Sequence, residues 1–117
     1  MNNSEQRLPT ILIVEDVDWI RAGMKREVER QGYYTLEARD DTEALAVAEL
    51  ETIALILTEE EVPTFDALID RCRANSALSQ TPVAIINADA EEGARYGQAY
   101  LLPDYGAIAS FLDHPRN

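Results

Sequence analysis

Short runs of apolar, often β-branched residues alternate along the chain with segments in which apolar positions recur every three or four residues. Buried strands of a parallel sheet read as short continuous apolar runs. We therefore predict five strands, at residues 10–14, 34–38, 53–58, 82–87 and 99–102. The helical spacing predicts five helices, one after each strand, with the fourth near residues 89–96 and the fifth at 105–112.

The alternation of strands and helices determines the expected architecture. Each helix has to bury its apolar face against the sheet, and crossovers between parallel strands are right-handed, so the helices cover both faces of one sheet. We expect a three-layer α/β sandwich around a five-stranded parallel sheet. We treat residues 1–117 as a single domain with its core at about residues 10–112, because 117 residues that are 46% apolar supply one hydrophobic core.

The charge balance is strongly acidic. Ten basic residues against 22 acidic ones give a net charge of −12, and Lys25 is the only lysine. Nucleic acids and anionic membranes are bound mainly through clustered Lys and Arg, so this composition disfavours both as direct partners. Cys72 is the only cysteine, and the longest apolar runs have five residues, too few to cross a bilayer. These features favour a cytoplasmic protein without disulfides.

Candidate functional residues follow the predicted strands, since ligands of open parallel sheets bind beyond the carboxyl ends of the strands. Glu15 and Asp16 follow the first strand, and Glu59 and Glu61 follow the third. Converging carboxylates repel one another, and a divalent cation bound by Glu15, Asp16, Glu59 and the backbone carbonyl of Glu61 would relieve the repulsion. Oxygen ligands suit Mg²⁺ or Ca²⁺. Solvent exposure or a raised pKa of one carboxylate would serve as well, and both alternatives stay open.

Four segments resemble a known family, the receiver domains of response regulators. ILIVEDVDWIR (11–21) resembles the family's opening strand with its acidic pair, and DDTEAL (40–45) resembles its second helix start. LILTEEEVP (55–63) resembles the phosphoacceptor strand and loop, and TPVAIINA (81–88) resembles the fourth strand. The resemblance covers about residues 10–112. It implies a flavodoxin-like (CheY-like) fold with strand order 2-1-3-4-5 and a role in two-component signal transduction and phosphorelay.

The chain departs from the family pattern at three positions. In the family the phosphate-accepting aspartate lies four residues before the loop proline, and Glu59 stands there. The switch hydroxyl falls on Asn87, and the lysine before the strand-five proline falls on Leu102, while Lys25 lies on the first helix. The Leu102-Pro103 step resembles a lysine-proline step that is characteristically cis. The resemblance therefore implies a degenerate receiver, or pseudo-receiver, without a catalytic residue.

The first functional hypothesis is a phosphorylation-independent protein-interaction module. Such a module is not an enzyme and requires no cofactor. The family generally meets protein partners through the face of helix four, strand five and helix five, where Tyr96, Tyr100 and Tyr105 cluster. Tyrosine suits interfaces because it buries a large area and keeps a polar tip. A ring that only closes the edge of the sheet is the alternative role, favoured for Tyr100, whereas the interface role is favoured for Tyr105.

The second hypothesis is a phosphoacceptor receiver that uses Glu59 with Mg²⁺. The extra methylene displaces the carboxylate, and a displacement of about 1 Å can cost roughly a hundredfold in rate. Glu59 could instead mimic a phosphorylated aspartate, although a carboxylate has less charge than a phosphoryl group. A flavin-binding or hydrolytic enzyme is disfavoured, since EDVD (15–18) is no phosphate loop and His114 is the only histidine.

Overall fold

The computed structural model describes residues 9–59, 65–91 and 94–113. Six strands lie in one sheet: β1 (Thr10–Val14), β2 (Tyr34–Ala38), β3 (Leu55–Glu59), β4 (Val83–Ile86), β5 (Arg95–Tyr96) and β6 (Ala99–Leu102). The helices of this part of the chain are α1 (Asp18–Arg30), α2 (Asp41–Ala48), α3 (Phe65–Ala74) and α4 (Ala107–Asp113).

The sheet has the order β2-β1-β3-β4-β6-β5. β1, β2, β3, β4 and β6 run parallel, and β5 pairs antiparallel with β6 at the edge. The five parallel strands are the five that were predicted, in the predicted order 2-1-3-4-5. The flavodoxin-like architecture is therefore confirmed, with one short antiparallel strand added to it.

Two hydrophobic layers sandwich the sheet because successive side chains of a strand point to opposite faces. The first layer joins one face of the sheet to α2 and α3, and the second joins the other face to α1 and α4. The central strands supply residues to both layers and are buried along almost their whole length. This burial on both faces explains why their sequences are continuous apolar runs. Fully buried members of the second layer include Ile11, Ile13, Leu55, Leu57, Ala84 and Ile108.

The ends of α1 and α2 have different caps. Asp40 begins α2 by accepting a hydrogen bond from the Glu43 N–H at 2.9 Å, and the Glu43 carboxylate accepts one from the Arg39 N–H at 2.7 Å. The first bond is that of a capping box, and the return bond goes to the N–H of Arg39, the residue before the cap, and not to that of Asp40. Val17 precedes α1 and makes no side-chain cap hydrogen bond. Gly32, at φ +98°, follows the end of α1.

The helix predicted near residues 89–96 is wrong in the described part of that segment. Arg95 and Tyr96 form β5 instead, with Arg95 opposite Tyr100 and Tyr96 opposite Ala99. Gly97 has a φ of +59° in the two-residue turn between the paired strands, a conformation that glycine adopts without strain. The sequence of this segment also includes Gly93, and glycine is unfavourable in a helix interior.

The described peptide bonds are all trans. The cis bond expected between Leu102 and Pro103 is therefore wrong, and the chain leaves β6 through an ordinary trans-proline step. Among the described helices none has the length and the apolar character needed to cross a membrane.

Candidate functional site

The carboxyl edge of the sheet brings Glu15 and Glu59 together. Val14 lies opposite Thr58 in the β1–β3 pairing, so the next position along each strand sets Glu15 beside Glu59. Glu59 is in turn opposite Ile86, and Ile86 is opposite Leu102. Residues in one such row project to the same face of a parallel sheet. The row ends the layer that the sheet forms with α1 and α4, and its two acids are Glu15 and Glu59.

Glu15 is almost fully buried, with 4% of its surface exposed. One of its carboxylate oxygens accepts a hydrogen bond from the Val17 N–H at 3.0 Å. Burial is the largest cause that raises the pKa of Glu15. The hydrogen bond from the Val17 N–H lowers this pKa, whereas the nearby carboxylates of Asp16 and Glu59 raise it further. The three acids therefore interact as one cluster, with Asp16 on the exposed side.

Glu59 is half-buried at the end of β3, whose other four residues are buried. Burial also raises its pKa above the usual value. Tyr105, between β6 and α4, packs into the same layer, and its burial together with the charges of Glu59 and Glu27 raises its pKa to about 12. A neutral phenol therefore lies near Glu59. The only lysine, Lys25, pairs with Glu29 on α1 at 2.7 Å.

Leu102 and Asn87 hold the positions at which the family places a lysine and a hydroxyl. Leu102 is 5% exposed and packs in the α1/α4 layer. The Asn87 N–H donates to the Leu102 carbonyl at 2.9 Å, and its side-chain oxygen accepts from the Asp89 N–H at 2.9 Å. Asn87 thus ends β4 and holds the turn that follows. Neither side chain offers a charge or a hydroxyl to the acidic cluster.

A divalent cation would need more ligands than the described carboxylates provide. Across residues 9–59, 65–91 and 94–113, no three Asp, Glu, His or Cys side chains are placed to hold a metal. One carboxylate oxygen of Glu15 already accepts a hydrogen bond from the Val17 N–H at 3.0 Å. Glu61, the fourth predicted ligand, lies outside the described residues. The described residues therefore contain only part of the predicted Mg²⁺ or Ca²⁺ site.

The three predicted interface tyrosines have different environments. Tyr100 is half-buried, with its ring 4.9 Å from that of Phe111 at an interplanar angle of 65° and the Arg95 guanidinium 4.4 Å from its centre. Tyr105 is half-buried in the α1/α4 layer. Tyr96 belongs to β5, and its side chain lies outside the described part of the structure. Tyr100 therefore packs against α4 at the edge of the sheet, and Arg95 adds a cation beside its ring.

Arg21 is a residue of the site that the sequence did not single out. Its side chain is 14% exposed and donates to the Glu15 carbonyl at 2.9 Å, to Asp18 at 2.8 Å and to Glu37 at 3.2 Å. It thereby joins α1 to β2 and holds the backbone that carries the acidic pair. The groove above it has a volume of about 370 Å³ and is lined by Asp18, Arg21, Glu37, Ala38, Arg39 and Glu43. The sequence contains one local sign of these contacts, the i,i+3 spacing of Asp18 and Arg21 on a helix.

Comparison with solved structures identifies the family. The receiver domain of the hybrid histidine kinase CckA is 32% identical over 88% of this chain and 94% of its own, with a TM-score of 0.62. The chain therefore belongs to the receiver domain family of two-component response regulators. No family model and no curated protein matches the sequence.

Two further structures share the fold at lower identity. The receiver domain of the sensor histidine kinase PA1611 from Pseudomonas aeruginosa PAO1, described with a magnesium ion in its active-site cleft, has a TM-score of 0.70 at 20% identity. It matches over 90% of this chain and 94% of its own. The chemotaxis protein CheY4 of Vibrio cholerae has a TM-score of 0.69 at 22% identity, over 90% of this chain and 96% of its own. These likenesses concern the fold.

Proposed function

We propose that this receiver domain is a cytoplasmic pseudo-receiver: a non-enzymatic module that binds a protein partner without phosphoryl control. The observation that carries the proposal is the burial of Leu102 at the position of the family's lysine. A transferred phosphoryl group needs compensating positive charge, and positioning with electrostatic stabilisation supplies almost all of the catalysis in such transfers. Leu102 supplies neither charge nor a hydrogen bond.

Two other positions support the same conclusion. Glu59 is one methylene longer than the family's aspartate, which displaces its carboxylate from the attacking position. Asn87 has its side-chain oxygen committed to the Asp89 N–H. A phosphoryl group on Glu59 would add close to two negative charges beside Glu15 and Asp16. Without a cation opposite, that state is electrostatically unfavourable.

The experiment is exposure of the chain to acetyl phosphate and Mg²⁺, followed by intact mass spectrometry. We expect no phosphoryl adduct on the wild type. The matched control is the triple variant Glu59→Asp, Asn87→Thr and Leu102→Lys, which returns the family's three groups and is expected to gain an adduct. An adduct on the wild type that disappears in Glu59→Gln would instead support the phosphoacceptor alternative.

We place the partner-binding surface on the β5–β6 hairpin and α4. Arg95 on the hairpin stacks over Tyr100, and Tyr100 contacts Phe111 on α4. Arginine and aromatic residues are enriched at interfaces and at their energetic centres. With a captured partner, Arg95→Glu should weaken binding while Asp70→Asn on α3 leaves it unchanged. Addition of acetyl phosphate should alter neither result, and a requirement for the phosphodonor would contradict the proposal.

A further inference from the structure

An exposed segment beside the acidic cluster combines apolar and acidic side chains. Asp16, Val17, Asp18 and Trp19, which we call the Trp19 patch, are all exposed where β1 passes into α1. Trp19 is 76% exposed and Val17 37%. Burying an indole ordinarily contributes more to stability than burying almost any other side chain. The packing of this fold therefore does not account for a tryptophan at this position.

The net charge around the patch is negative. Asp18 is 82% exposed and Asp16 is exposed as well. The neighbouring arginines are already engaged: Arg21 binds Asp18, Glu37 and the Glu15 carbonyl, and Arg39 pairs with Glu43 at 3.0 Å. The buried Glu15 and the half-buried Glu59 lie behind the patch. A cationic ligand would therefore meet a surplus of carboxylates here.

We infer that the Trp19 patch binds a cationic segment of a protein partner, with an Arg or Lys side chain over the indole and Asp16 and Asp18 flanking it. Tryptophan is the strongest aromatic acceptor for a cation. In the described residues, the indole of Trp19 has no ring or guanidinium stacked on it, whereas Tyr100 already holds Arg95. The Trp19 patch contains no residue of the β5–β6 hairpin or of α4, so the inference stands whether or not that proposed partner face is correct.

The probe is a short fluorescein-labelled peptide of alternating arginine and alanine, titrated with the full chain and followed by anisotropy. A protein with a net charge of −12 attracts any polycation weakly. A variant that only removes a negative charge would therefore weaken binding without showing where the peptide binds. Trp19→Ala removes no charge. A cation–π contact at an exposed site contributes enough that its loss should weaken binding roughly two- to fivefold. Leu50→Ala, at an 82% exposed leucine far along the chain, is the matched control and should leave binding unchanged.

A second pair of variants separates local from diffuse charge. Asp16→Asn with Asp18→Asn should weaken binding more than Asp66→Asn with Asp70→Asn, which removes the same charge from exposed positions on α3. Circular dichroism melts verify that every variant is folded. Binding by Trp19→Ala equal to that of Leu50→Ala would overturn the inference, as would equal losses in the two aspartate pairs. Because no phosphodonor is used, failure here is distinct from failure of the proposed function.

Discussion

Glu59→Gln is predicted to stabilise the protein at neutral pH. The substitution keeps the size of the side chain and removes a half-buried charge beside the buried Glu15. Neighbouring strands are about 5 Å apart, and two unit charges at that distance repel by about 1 kcal/mol in water and about 3 kcal/mol at a dielectric near 20. Because Glu59 is partly exposed, we expect a gain near the lower figure, about 1 kcal/mol.

The stability difference between the wild type and Glu59→Gln is expected to depend on pH. Burial raises the pKa of Glu59 above 4.5 in the folded state, so the folded protein binds this proton more readily than the unfolded chain. The stability that the protonated Glu59 contributes is therefore fully present below pH 4.5, and it is lost as the pH rises through the pKa of Glu59 in the folded protein. Glu59→Gln removes this dependence. The two proteins should differ most at neutral pH and converge as the pH falls toward 4.5.

Thermal melts from pH 4 to pH 8, in EDTA, measure the effect. For a domain of this size 1 kcal/mol corresponds to a shift in Tm of about 4–8 °C. Glu91→Gln is the control, because it removes the same charge from an exposed side chain and should change Tm little. A Tm of Glu59→Gln equal to that of Glu91→Gln at pH 7, or a lower one, would refute the assignment of electrostatic strain to the acidic cluster.

Three other substitutions test the packing. Arg21→Gln should cost about 1–2 kcal/mol in urea unfolding, chiefly because the Glu15 carbonyl loses its charged donor; an unchanged midpoint would contradict the positioning role. Leu57→Ala should cost about 2–5 kcal/mol in the same assay, since Leu57 is fully buried in β3; a cost under about 1 kcal/mol would mean a looser core. Gly97→Val should cost about 1–2 kcal/mol because a φ of +59° strains a β-branched residue. An unchanged Tm would contradict the positive φ at residue 97.

The parallel sheet could be predicted because its strands are buried on both faces and so form continuous apolar runs. The position of Glu15 beside Glu59 followed from the same reasoning, since parallel strands end at one edge. The hairpin could not be predicted in this way. Its formation depends on a two-residue turn at Gly97 and on pairing of β5 with β6. β5 has only two residues, too few to show an alternation of apolar and polar positions in the sequence.

The site could be predicted only in part, because burial and long-range contacts are absent from local patterns. Arg21 reaches Glu37, 16 residues away, and that contact needs the β1–β2 pairing to exist. The burial of Leu102 likewise depends on α1 and α4 closing over β6. The identities of Glu59, Asn87 and Leu102 were readable from the sequence, whereas their environments required the fold. The roles of these residues in signalling stay predictions.

Intact mass spectrometry after incubation with acetyl phosphate and Mg²⁺ tests the central claim most directly. The wild type and the triple variant at Glu59, Asn87 and Leu102 are treated side by side, so that the variant reports whether the donor and the fold are competent. We predict an adduct on the triple variant and none on the wild type. A wild-type chain that acquires a phosphoryl group, and loses that capacity in Glu59→Gln, would contradict a pseudo-receiver.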